Sequence, residues 1–214
     1  MITTARIAGG LCGLVVVIGL LSQRDIRKGR LGEIQLATSP QSVQAIVGDQ
    51  TVQRSARRAL AIDYAFLTAY WAAFVTLGAL IWLRGGVWTV LAVATWITAS
   101  ATAGLDVVEN LRTTALLDRG RHGARPGQPE LNSLRRISLA KWGASGVTVA
   151  LLSGVYARHG WWSVVAIGVF LLVAILGFGG LYRHALINVF LVGVTLLSAL
   201  TAFALQIDPR LIRR

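Results

Sequence analysis

The sequence predicts an all-α fold: a polytopic transmembrane helix bundle of about six helices, with a short cytoplasmic amphipathic helix between helices 1 and 2. Of its 214 residues, 55% are hydrophobic and only 14% are charged, against about 25% charged in a soluble domain. Mean hydropathy is +0.63. The apolar residues also gather into runs, most of them near the ~20 residues that cross a bilayer core. In hydrocarbon the backbone must satisfy its own hydrogen bonds, so such runs form helices. The expected spans are 7–22, 59–83, 87–111, 137–156, 161–181 and 185–205, within one integral membrane domain over 1–214.

The first run is short and N-terminal, as a signal peptide is. Its N-flank holds only Arg6, however, while QRDIRKGR follows it and no small-residue cleavage site is evident; a retained helix fits better. Gly9 and Gly13 have the spacing that admits a neighbouring helix, although glycine is common in membrane helices in any case. Cys12 is the single cysteine, so no intrachain disulfide or cysteine-based metal site is possible and it reads as a packing residue.

The formal net charge of +12 is distributed in a way that sets topology and gives no support to nucleic-acid binding. Arg24, Arg27, Lys28, Arg30, Arg54, Arg57 and Arg58 fall in segment 23–58; Arg119, Arg121, Arg125, Arg135 and Arg136 fall in 118–136. The hairpins LRGGVW and ARHGWW carry one arginine each, Arg84 and Arg158. The positive-inside rule makes both long segments cytoplasmic. Six helices then put the C-terminal Arg210, Arg213 and Arg214 on the wrong side, unless that tail lies flat at the interface. The basic segments should attract anionic lipid headgroups, so the expected partners are the bilayer and those headgroups, with a homo-oligomer or a membrane protein partner also possible.

Within 23–58, the stretch SPQS starts a helix, with Ser39 as cap and Pro40 in the first turn. Val43, Ile46, Val47 and Val52 give it an apolar stripe suited to a membrane surface. The Gly-, Pro- and Arg-rich DRGRHGARPGQPELNSLRR reads as an irregular connector, and His122 within it as an exposed side chain. The two hairpins align at an offset of 74 residues, which suggests either a duplicated helical pair or the usual Arg–Gly–Trp chemistry of an interfacial turn.

The polar residues inside the helices are the candidate site. Asp63 lies about one turn into the second span, with Tyr70 two turns deeper; Asp106, Glu109, Asn110 and Thr113 share a face near the end of the third; Lys141 lies about one turn into the fourth, with Ser138, Ser145 and Thr148 on its face. Three helices thus bring Asp63, Asp106, Glu109 and Lys141 to one depth, and charges there turn inward and pair because facing lipid costs several kcal/mol. Arg112 and Arg183 are possible compensation. One reading is a clamp in which Lys141 bridges Asp63 and Asp106; another is a functional cluster handling a proton, an ion or a headgroup. The D-x-x-E-N spacing with Asp63 suits a hard cation weakly, so no metal site is assigned. Motifs for zinc proteases, serine hydrolases, phosphate loops and haem are absent; Arg183, His184 and Asn188 lie at the ends of the last two helices, and no cofactor or catalytic residue is implied.

The motifs D-Y-A-F-L-T-A-Y (63–70), L-D-V-V-E-N (105–110) and R-x-S-L-A-K-W (136–142) resemble uncharacterised small multipass membrane proteins of bacteria, which share a D-[YF]-x-F-x-x-x-Y helix and a D-x-x-E-N helix. That resemblance implies location in the bacterial inner membrane and marks Asp63, Tyr64, Phe66, Tyr70, Asp106, Glu109 and Asn110. With Lys141, the ligand-binding candidates are Asp63, Tyr64, Tyr70, Asp106, Glu109 and Asn110. The expected function is binding or translocation of a small cation, proton or lipid headgroup. A structural subunit with the charges as a clamp, or a membrane-embedded lipid-modifying enzyme, are the alternatives.

Overall fold

A computed structural model describes residues 2–156, 161–180 and 184–207, and among them the chain is entirely helical. The helices are α1 (Ile2–Gly29), α2 (Leu31–Gln35), α3 (Pro40–Val47), α4 (Gln50–Trp82), α5 (Val87–Arg121), α6 (Gln128–Leu152), α7 (Trp161–Gly180) and α8 (His184–Ile207), with a 3-10 turn over Ser153–Tyr156. Four stretches are long and apolar enough to cross a membrane: Ile2–Leu21, Gln50–Trp82, Val87–Arg121 and Val189–Ile207. The apolar part of α7, Val164–Gly179, is shorter. In α6, Glu130, Arg135, Arg136 and Lys141 occupy the first half, and the expected span 137–156 finishes as the 3-10 turn. Arg158, His159, Arg183 and the C-terminal arginines lie outside the described residues, as do the side chains of His184 and Asn188.

The chain forms two compact units. One comprises Met1–Val17, Thr68–Thr102 and Trp142–Arg214; the other comprises Ile18–Leu67 and Ala103–Lys141. In the first, polar side chains mostly bond the helix that carries them or fasten a turn. Thr76, Thr95 and Thr148 donate to the carbonyls of Ala72, Leu91 and Ala144, which satisfies a hydroxyl without water. The Arg84 guanidinium donates to the carbonyl oxygens of Gly154 and Val155 and lies 5.3 Å from the Trp88 ring centroid. Val87, Val90, Ile97, Val164 and Phe203 are among its exposed side chains.

The second unit corrects the sequence reading. Segment 118–136 is not mainly an irregular connector, since α5 runs to Arg121 and α6 begins at Gln128; in segment 23–58, α1 continues to Gly29 and α4 starts at Gln50. Only 122–127 remains as the connector between α5 and α6. A shared hydrophobic core explains this, since Leu31, Ile34, Val43, Ile46, Val47, Ala56, Leu60, Leu116, Leu117, Leu131 and Leu134 are all buried together. A helix continues past an apolar run wherever its stripe finds a partner to bury against.

Ser39 caps α3 as expected, accepting from the Ser42 N–H at 3.2 Å. The Val43–Ile46–Val47 stripe, however, faces this protein core, not a membrane surface. Two glycines allow the close packing. A Cβ on Gly29 would lie 2.6 Å from the Ala56 Cα, and one on Gly120 would lie 2.7 Å from the Val47 Cβ. Arg30 turns the chain between α1 and α2 at φ 50, a left-handed conformation uncommon outside glycine. Its Nε donates to Glu33 Oε1 at 2.7 Å. Across the connector, Arg119 pairs with Glu130 at 2.9 Å, and Arg57 of α4 pairs with Asp118 of α5 at 2.6 Å.

Candidate functional site

All four charged residues expected to converge belong to the second unit. Asp106 and Glu109 sit one turn apart on α5, and Lys141 approaches from α6. Its Nζ lies 3.0 Å from Asp106 Oδ1 and also bonds Glu109 Oε2. Glu109 is completely buried, and Asp106 and Lys141 are nearly so, at 6% and 7% exposed. The second Glu109 oxygen accepts from the Ser138 hydroxyl, which lies three residues before Lys141 on the same face. Ser138 is also 3.5 Å from the Gln35 carbonyl oxygen at the end of α2. Glu109 is therefore bonded through both oxygens, as a buried carboxylate must be to avoid a large desolvation cost.

Asp63 is held differently. The Asn110 Nδ2 donates to Asp63 Oδ2 at 2.6 Å, tying α4 to α5. Asp63 is half-buried, while Asn110 is only 1% exposed and its Oδ1 is buried without a hydrogen-bond partner. Lys141 thus bonds Asp106 and Glu109, where the sequence reading has it bridge Asp63 and Asp106. Thr113, on the same face of α5, is fully buried and donates to the Glu109 carbonyl at 2.8 Å.

The remaining candidates separate. Tyr64 is 38% exposed. Tyr70 belongs to the other unit, where it is buried against Phe74 with ring centroids 5.6 Å apart. Arg112 donates to the Ser133 hydroxyl at the protein surface, so its charge is turned away from the role of counter-ion to the carboxylates. Ser138 and Gln53 were not singled out as site residues. The Ser138 spacing of i−3 from Lys141 carried a signal; nothing local marks Gln53, which is buried and donates to the Val47 carbonyl.

No family model, curated protein or solved structure matches the chain.

The arrangement can do two things chemically. The Lys141–Asp106–Glu109 group, with Ser138, fastens α5 to α6. The Asp63–Asn110 pair beside it offers oxygen atoms at a partly open edge, in a cluster with three carboxylates and one ammonium. Among the described residues, no group of histidine, cysteine and carboxylate side chains is arranged to hold a metal ion by itself.

Proposed function

We propose that the chain is a six-span protein of the bacterial inner membrane that binds a small cation or a proton at Asp63 and Asn110. Four apolar helices of spanning length support insertion. In this reading α6 and α7 complete the six spans, and the basic segments 23–58 and 118–136 face the cytoplasm.

The observation that carries the binding reading is a charge imbalance with an open side. Three carboxylates meet one ammonium; Lys141 bonds the two most deeply buried, and the third, Asp63, is half-buried and bonded to Asn110. An excess of negative charge in a region of low dielectric attracts a cation or a proton. The Asn110 oxygen is an acceptor of the hard type that such cations prefer, but it is buried, so Asp63 is the oxygen donor within reach of solvent.

Calorimetric titration of the detergent-solubilised protein with sodium and magnesium salts, with proton release followed in the same sample, tests this. Wild type should give a binding heat or a proton displaced by the cation. Asp63→Asn should lose that signal while its melting temperature stays close to wild type, because the Lys141 pairs are untouched. Identical titrations for the two proteins would exclude the reading.

A second reading, a structural subunit with the charges as an interhelical clamp, is favoured by the full bonding of Glu109. It predicts that Asp63→Asn lowers the melting temperature and changes no titration.

A further inference from the structure

We propose that the cleft on α6 bounded by Asn132, Arg135, Arg136 and Leu139 binds the phosphate group of an anionic phospholipid. This inference rests on the membrane location but not on the Asp63 site. The cleft has a volume of about 280 Å³, close to the lower end for small-ligand pockets. Its residues recur at i, i+3, i+4 and i+7, so they share one face of the helix.

Two guanidinium groups on one face already favour an anion, and the state of Arg135 sharpens the point. Arg135 is half-buried, and its Nε is buried with no hydrogen-bond partner. That nitrogen is closed to solvent, so an anion would meet the remainder of the guanidinium, and a phosphate oxygen is the acceptor that a guanidinium fits best. Four arginines of the same unit are engaged, Arg30 with Glu33, Arg57 with Asp118, Arg119 with Glu130 and Arg112 with Ser133, while Arg54, Arg58, Arg121 and Arg125 are in none of the described ion pairs either. Among the described ion pairs, none involves Arg135 or Arg136.

Asn132 is oriented by its neighbours. Its Oδ1 accepts from Gln128 Nε2 at 3.0 Å, and that same nitrogen donates to the Thr38 carbonyl at 3.0 Å. The Asn132 amide N–H groups therefore remain as further donors for the anion. Leu139 lies one turn beyond Arg135 and Arg136, toward the uncharged stretch GASGVTVALL of residues 143–152. An apolar side chain placed between the arginines and that stretch suits an acyl chain attached to the phosphate, and a free anion has no use for it.

The test is a titration of the full chain in detergent with phosphatidylglycerol, and separately with phosphatidylcholine, with bound lipid read by native mass spectrometry. Wild type should retain phosphatidylglycerol in preference. Arg136→Gln, at an exposed position that should not disturb folding, should raise the half-saturating concentration about fivefold, and Arg135→Gln/Arg136→Gln by tenfold or more. Arg121→Gln/Arg125→Gln removes the same charge from exposed positions elsewhere and should leave binding unchanged. Equal loss in that control would mean general surface charge, and no loss in the cleft variants would mean no site; either overturns the proposal. Displacement of the lipid by millimolar inorganic phosphate would assign the cleft to a free anion and overturn the lipid as its occupant.

Discussion

In the unit made of Ile18–Leu67 and Ala103–Lys141, a core of leucines and valines is buried while Leu20, Leu21, Val108 and Leu111 are exposed, and most described arginines lie outside, with a carboxylate–lysine group sealed among the helices. In the unit made of Met1–Val17, Thr68–Thr102 and Trp142–Arg214, the largest exposed side chains include Val87, Val90 and Phe203. Its ring contacts include the stacked pair Trp82–Trp96, with centroids 5.5 Å apart. The first unit carries most of the exposed charge, and the surface of the second is almost uncharged among the described residues. Hydroxyls and indoles in the second bond carbonyls within reach, as Trp96 Nε1 does to Val75 at 2.9 Å, because lipid supplies no acceptor. In the first, opposite charges do the fastening, and removing one partner leaves the other stranded.

The strongest way to break this contrast is Lys141→Met. It strands Asp106 and Glu109 in the interior, and loss of one partner of a buried charge group costs about 3–5 kcal/mol. Thermal unfolding in detergent should show a large fall in melting temperature, and Glu109→Gln in the same chain should recover part of it. A melting temperature equal to wild type would mean that the charges are not what holds α5 to α6. The corresponding fastening in the other unit is neutral on its acceptor side. Arg84→Met leaves the carbonyl oxygens of Gly154 and Val155 without their donor, a loss of about 1–3 kcal/mol. A fall as large as that of Lys141→Met would erase the distinction.

The smallest effect belongs to the exposed Arg30–Glu33 pair. The hydrogen bond from Arg30 holds the Glu33 carboxyl below its ordinary value of 4.5. A folded-state value below the unfolded one stabilises the protein above the unfolded value, and the contribution is lost as pH falls through the depressed value. Wild type and Glu33→Gln should therefore unfold alike once the medium is acidic enough to protonate Glu33, and differ only slightly at neutral pH. A large difference at neutral pH would show this surface pair to matter as much as the buried one.

Much of this was legible in the residues. The uncharged runs mark the apolar helices, Ser39–Pro40 marks the start of α3, and the spacing of Asp106, Glu109 and Lys141 predicts their meeting. The irregular connector expected over 118–136 is mostly helical, because a helix persists where its stripe is buried, and Leu116, Leu117, Leu131 and Leu134 supply that burial in and around a stretch rich in Gly, Pro and Arg. The spacing does not reveal which carboxylates Lys141 bonds directly, since carboxylates one turn apart lie within reach of the same side chain. Tyr70 fell on the expected helix, but 3.6-residue periodicity does not reveal which compact unit a residue joins.

The carboxylate–lysine group also bears on how the chain is made. Its bonds link residues that are close in sequence: Glu109 to Ser138 and Lys141, and Asp106 to Lys141, across separations of 29, 32 and 35 residues. Closing a loop of that length costs little entropy, and contacts this local form early in folding. The six-residue connector 122–127 and the Arg119–Glu130 pair hold the two arms antiparallel near their base. During synthesis, α5 and α6 can thus meet as a hairpin as soon as Lys141 is free, before α7 and α8 exist. A hairpin that has neutralised part of its charge internally carries fewer unpaired ions than either helix would alone.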